Sequence, residues 1–120
     1  MEKSAAIAAL AALAQDTRLD IFRMLVQAGN AGLPAGRIGQ PLGLPSATLS
    51  FHLSQLKHAR LVMCRRDGRS LIYTADYTAM NELVAYLTEN CCGGNAAACG
   101  ADSASLPEVR VGASSGRKER

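Results

Sequence analysis

A single dipeptide, Asp67-Gly68, interrupts a chain whose patterning is otherwise helical, and it narrows the folds open to the sequence. Asp-Gly between runs of strand-forming residues is among the strongest short-range hairpin signals, because both residues tolerate the positive φ of a tight turn. The flanking runs, Leu61 to Arg66 and Arg69 to Ala75, carry Val, Ile, Tyr and Thr. This pattern predicts a two-stranded β-hairpin over residues 61–75, with helices on both sides.

The helices follow from apolar spacing. Ile7, Leu10 and Leu13 recur every third residue among alanines, predicting a first helix over about residues 4–14. Asp16 is a candidate N-cap for a second, with Leu19, Phe22, Leu25 and Val26 on one face and Gly29-Asn30 as its stop. Residues 29–33 read as a loop. Pro34 suits the first turn of a short third helix carrying Ile38 and Leu42, and Gly43 ends it. The fourth helix, about Ser46 to Arg60, buries Leu49, Leu53 and Leu56. The fifth, Tyr77 to Asn90, places Met80, Leu83, Val84 and Leu87 on one face. Two helices joined by a short Gly-containing turn form a helix-turn-helix pattern. The expected fold is therefore mainly α with a small β-hairpin, in the order ααααββα. Residues 1–90 are expected to form one folded domain, 91–99 a cysteine segment, and 100–120 a Gly/Ala/Ser-rich tail expected to be disordered.

Charge is divided along the chain. Residues 1–75 carry nine Lys/Arg against four Asp/Glu, residues 76–109 carry five acids and no base, and residues 110–120 return +3. A polyanionic partner for the front half fits that division. No stretch reaches the ~20 apolar residues of a membrane helix, so no membrane partner is expected. The alanine run after Met1-Glu2-Lys3 is too weakly apolar for a secretory signal. Four cysteines, two of them adjacent, do not make a disulfide scaffold. Reduced thiols and a cytoplasmic location follow as expectations.

The fourth helix carries the chemistry for reading DNA. With Leu49, Leu53 and Leu56 inward, Ala47, Ser50, Phe51, Ser54 and His58 turn outward, and Ser46 and Thr48 join them at its start. Early residues of such a helix reach base edges in the major groove. Hydroxyls both donate and accept there, and an apolar ring meets a thymine methyl. The hairpin tip, Arg65-Arg66-Asp67-Gly68-Arg69, supplies three guanidiniums suited to phosphates or a narrow minor groove.

Three stretches together resemble the ArsR/SmtB family of dimeric metal-sensing repressors. They are Leu13-Ala14-Gln15-Asp16-Thr17-Arg18-Leu19, Leu42-Gly43-Leu44-Pro45-Ser46-Ala47-Thr48-Leu49-Ser50-Phe51-His52-Leu53, and Arg65-Arg66-Asp67-Gly68-Arg69 with Tyr73. The resemblance runs collinearly over about residues 8–90. Gln15-Asp16 stands where the family usually has Asp-Pro, and Phe51 where it usually has the first His of Ser-His-His-Leu. The resemblance implies a winged helix-turn-helix. It also implies a homodimer built from the first and last helices, repression of double-stranded operator DNA without ligand, and release when an inducer binds.

The sensing residues have to be sought separately, because members of the family place them differently. The third helix, where one arsenic site of the family lies, has no cysteine. The fifth, where zinc sensors use Asp and His, has Asp76 before it and Glu82 and Glu89 within it but no histidine. Cys91 and Cys92, with Cys99 beyond a Gly93-Gly94-Asn95 stretch, remain. Thiolates suit thiophilic ions. Trivalent arsenic takes three bonds in a pyramid, so three thiolates complete its shell, and antimonite shares that chemistry. A structural zinc site wants four ligands in a different spacing. The expectation is arsenite as inducer on Cys91, Cys92 and Cys99, as in arsenical resistance. Another soft metal ion or thiol oxidation is the alternative. Cys64 reads as a small core hydrophobe. An arsenate reductase or other thiol phosphatase would need Cys-x5-Arg, and no cysteine has an arginine six positions on, so the chain is not expected to be an enzyme.

Overall fold

The computed structural model describes residues 1–94. Five helices form: α1 (Lys3–Leu13), α2 (Asp16–Ala28), α3 (Ala35–Leu42), α4 (Ser46–His58) and α5 (Tyr77–Leu87). Three strands accompany them: β1 (Leu33–Pro34), β2 (Val62–Asp67) and β3 (Ser70–Ala75). Residues Met1–Tyr86 make one compact unit, and the described residues from Leu87 to Gly94 belong to a second.

The core of the first unit is built from Ile21, Leu25, Ile38, Leu53, Leu56 and Leu61, all essentially removed from solvent. Burying one such side chain is worth about 1.5–3 kcal/mol, and together they fasten α2, α3 and α4 to the base of the sheet. The first helix obeys its spacing but in the opposite sense to a simple apolar reading. Ala6, Ala9 and Ala12 face inward, while Ile7 and Leu10 are 58% and 42% exposed. Small side chains permit a close helix approach, so the alanines won the inner face.

Capping explains where the helices begin and end. The N-cap of α2 is Gln15, not Asp16: its side-chain oxygen accepts the Arg18 N–H at 2.8 Å, and Asp16 becomes the first helical residue. Gly43 ends α3 at φ +64, ψ +33, with Leu44 N–H donating to Gly39 O and Gly43 N–H to Gln40 O. That is the left-handed stop a glycine provides. Asp76 caps α5 by accepting the Ala79 N–H at 3.0 Å, and Tyr77 ties that helix to α2 by donating to Val26 O at 2.9 Å.

The sheet corrects the sequence reading in two respects. It has three strands in the order β1-β3-β2, with Leu33 opposite Tyr73 and Pro34 opposite Ile72. A two-residue strand shows no periodicity, and Pro34, lacking a donor, fits only the edge position it occupies. The hairpin also turns one residue later than the Asp-Gly signal implies. Asp67 pairs with Ser70, leaving Gly68 and Arg69 as the turn, with Gly68 at φ +64. Gly at the first central position satisfies a tight hairpin turn. It also prevents Arg66 from standing directly opposite Arg69, since Arg66 now faces Leu71.

Candidate nucleic-acid interface

The second helix of the helix-turn-helix is α4, and the turn before it fixes its angle. Gly39 of α3 lies against Leu49, so closely that a Cβ there would come to 3.0 Å from the leucine Cδ2. Leu49, His52, Leu53 and Leu56 form the buried side of α4. Ser46, Ala47, Thr48, Ser50, Phe51 and Ser54 are all exposed, Phe51 at 56%. All six candidates on this helix thus share the solvent side. An exposed phenylalanine on a helix of a folded unit loses its apolar contribution unless something else covers it.

His52 has a role not singled out from the sequence. It is buried, and the Arg18 guanidinium donates to its Nδ1 at 3.3 Å. Burial first, and the Arg18 charge second, push its pKa below the usual histidine value. Arg18 also donates through Nε to Ala12 O at 2.7 Å, so one side chain joins the end of α1 to α4. The pairing of residues 34 positions apart leaves no local pattern in sequence.

The wing is the β2–β3 hairpin. Arg65, Arg66 and Arg69 are all exposed, but they are not equivalent. Arg65 donates to Asn30 O at 3.2 Å and Ala31 O at 3.0 Å, in the turn that follows α2. Arg66 is on the opposite face of β2 by strand alternation, and Arg69 stands in the turn itself. Cys64 is half-buried, opposite Tyr73 in the ladder. Tyr73 has its pKa raised by burial and then by the Cys64 thiol beside it. Tyr73 and Ser46, Ser50 and Gly36 line a common groove, so this face of the sheet looks toward the start of α4.

In the second unit, Cys91 and Cys92 are exposed with their Sγ atoms 3.8 Å apart. Cys92 has the left-handed backbone φ +56, ψ +37, and Cys91 N–H donates to Thr88 O. Cys99, the third candidate, lies outside the described residues, as does the tail from residue 100. Among the described residues no three His, Cys, Asp or Glu side chains form a metal cluster. No helix of the described chain is long and apolar enough to cross a membrane.

Comparison with known proteins bears on this arrangement. Residues 13–65 match a helix-turn-helix domain family. The HTH-type transcriptional regulator YgaV of Escherichia coli is 31% identical over 87 residues, covering 72% of this chain and 86% of YgaV. An ArsR-like transcriptional regulator from Rhodococcus sp. RHA1 has a similar structure, with a TM-score of 0.64 at 25% identity over 70% of this chain and 76% of that one. The chain belongs to the ArsR/SmtB family. As an ArsR/SmtB protein it is a winged-helix transcriptional regulator, and, like the relatives it matches, not an enzyme. A homodimeric winged helix-turn-helix DNA-binding domain, Mb0332 from Mycobacterium bovis, is also similar, with a TM-score of 0.58 at 25% identity over 77% of this chain and 85% of that one. Two other curated relatives are spanned over only 58% and 63% of their length.

Proposed function

We propose that this ArsR/SmtB regulator is a homodimeric repressor that binds double-stranded operator DNA and leaves it when arsenite, or antimonite, is captured by Cys91, Cys92 and Cys99. The observation that carries the DNA half is the exposed face Ser46, Ala47, Thr48, Ser50, Phe51 and Ser54 on the same compact unit as an arginine-tipped wing. The helix enters the major groove, and Arg66 and Arg69 reach phosphates from the wing. Dimerisation uses α1 and α5. Ile7, Leu10 and Val84 are each more than two-fifths exposed, which leaves an apolar surface for a second copy, and Mb0332 is a homodimer.

The sensing half is supported by the 3.8 Å between the Cys91 and Cys92 sulfurs. Sulfurs that close can converge on a single thiophilic centre. Three thiolates complete a trivalent arsenic shell without histidine or carboxylate. A ligand there acts only by favouring one dimer geometry over the other, since equal affinity for both states shifts nothing. Adjacent thiols at this separation equally suit other soft cations or oxidation. The deciding experiment titrates arsenite, antimonite, cadmium, zinc and peroxide into the reduced protein bound to a duplex selected from a random pool. Release by the trivalent oxyanions at the lowest concentration supports the reading. Release by zinc or peroxide alone overturns its arsenic half and leaves the DNA half standing.

A further inference from the structure

Among the three arginines of the wing, one is already engaged within the protein. The ladder pairs Cys64 with Tyr73, Arg65 with Ile72 and Arg66 with Leu71. Directly opposed residues share a face and successive residues alternate. Cys64, Tyr73, Arg66 and Leu71 therefore lie on one face, and Met63, Thr74, Arg65 and Ile72 on the other. The first is the face that shares a groove with Ser46 and Ser50 of α4. The second is overlain at Ile72 and Thr74 by the turn after α2. Gly32, at φ +69, presses there so closely that a Cβ would meet Thr74 Cγ2 and Tyr73 O at 2.6 Å and Ile72 Cγ2 at 2.7 Å.

Arg65 continues that covered face outward. Its two terminal nitrogens fork onto the Asn30 and Ala31 carbonyls, 3.2 and 3.0 Å away. Those carbonyls belong to the 3-10 turn Gly29–Ala31, which Gly29 at φ +76, ψ −164 sets apart from the end of α2. Backbone carbonyls in so short a turn need donors from elsewhere, and a planar, permanently charged fork satisfies two at once.

We propose that Arg65 is a positioning residue: it clasps the wing to the turn that follows α2, and Arg66 and Arg69 carry the wing's phosphate contacts. The inference deepens the DNA reading above and rests on it. The clasp fixes the wing before DNA arrives, so only the tip arginine side chains, not the wing backbone, remain to be ordered on binding. The wing's base is set by Gly32 and its outer half by Arg65.

The test uses the full chain and a random-sequence DNA duplex, on which binding is governed by phosphate contacts. Each lost phosphate contact lowers the slope of log K against log salt by about 0.9. Arg66→Ala and Arg69→Ala lower the slope by that amount each. Arg65→Ala leaves the slope unchanged but weakens binding about fivefold at every salt concentration, the equivalent of one net hydrogen bond. In the DNA-free protein the same variant speeds amide exchange across residues 63–72 by about the same factor. Arg65→Lys keeps the charge but not the fork. It also speeds wing exchange, which a phosphate-contact role does not require. An Arg65→Ala slope lowered as in Arg66→Ala, with wing exchange unmoved in both Arg65 variants, overturns the clasp and leaves the DNA reading intact. A parent chain whose binding shows no salt dependence overturns the DNA reading itself.

Discussion

Arg18 donates to Nδ1 of His52 across 3.3 Å, and because an arginine has no acceptor to offer, the histidine must be the acceptor. His52 is therefore neutral, with its proton on Nε2. Protonation would place a second N–H against the guanidinium. Burial and the Arg18 charge both lower its pKa from 6.5, so the unfolded chain takes up the proton first. Stability is complete above about pH 6.5 and falls as pH drops below it, towards the folded-state pKa. Urea midpoints measured from about pH 8 to about pH 5 should show that decline. His52→Gln, which offers Arg18 a neutral acceptor, should flatten it. An unchanged slope in that variant assigns the acid sensitivity to other groups.

On the proposed DNA reading, the base contacts come from α4. Replacing Ser50 or Phe51 by Ala should cost about 1–3 kcal/mol at particular base pairs. Selection from a random pool should then return an altered consensus. Equal losses on selected and random duplexes show that these side chains do not read sequence.

Induction should separate cleanly from DNA binding. Cys91→Ser, Cys92→Ser and Cys99→Ser should each leave duplex affinity near the parent value and blunt release by arsenite, and the triple variant should abolish it. Full reversal of a repressor's occupancy needs roughly 10⁴-fold preference of ligand for one state, which three thiolate bonds supply better than two. Cys64→Ser should respond normally. Fluorescence anisotropy of a labelled duplex measures all five proteins. A triple variant that still leaves DNA at the parent's arsenite concentration moves the sensing site elsewhere.

Gly32→Ala should destabilise the first unit by about 2–4 kcal/mol, combining positive-φ strain with overpacking against Ile72 and Thr74. The denaturation midpoint should fall without a change in m-value. Unaltered stability would mean that the turn after α2 is free to move off the sheet.

Much of this was legible in the chain. The α4 stripe Leu49, Leu53 and Leu56 is buried as its spacing requires, and the six candidates opposite it are exposed. Local geometry at single residues was less legible. Asp67-Gly68 announces a hairpin, yet the pairing of Asp67 with Ser70 puts Gly68-Arg69 in the turn. Moving a two-residue turn by one position shifts every cross-strand partner by two, which changes the neighbours along the wing but not their faces, and composition does not encode that choice. Leu33–Pro34 is too short to carry a period. Arg65 and His52 take partners more than thirty positions away, beyond any window of local pattern. Whether Cys99 joins Cys91 and Cys92 lies outside the described residues.

The alanine face of α1 has a thermodynamic consequence. Ala6, Ala9 and Ala12 seat the helix closely but remove little apolar area from water, whereas its larger side chains, Ile7 and Leu10, point away from the protomer. In the proposed homodimer, these larger side chains are the ones a second copy covers. Attachment of α1 to its own protomer and association of two protomers become a single equilibrium, governed by mass action. Dilution alone should then loosen the N-terminal helix, and the melting temperature should climb with protein concentration. Ile7→Glu with Leu10→Glu should remove that dependence, leaving a protein that sediments as a monomer and melts at the dilute-limit temperature at every concentration.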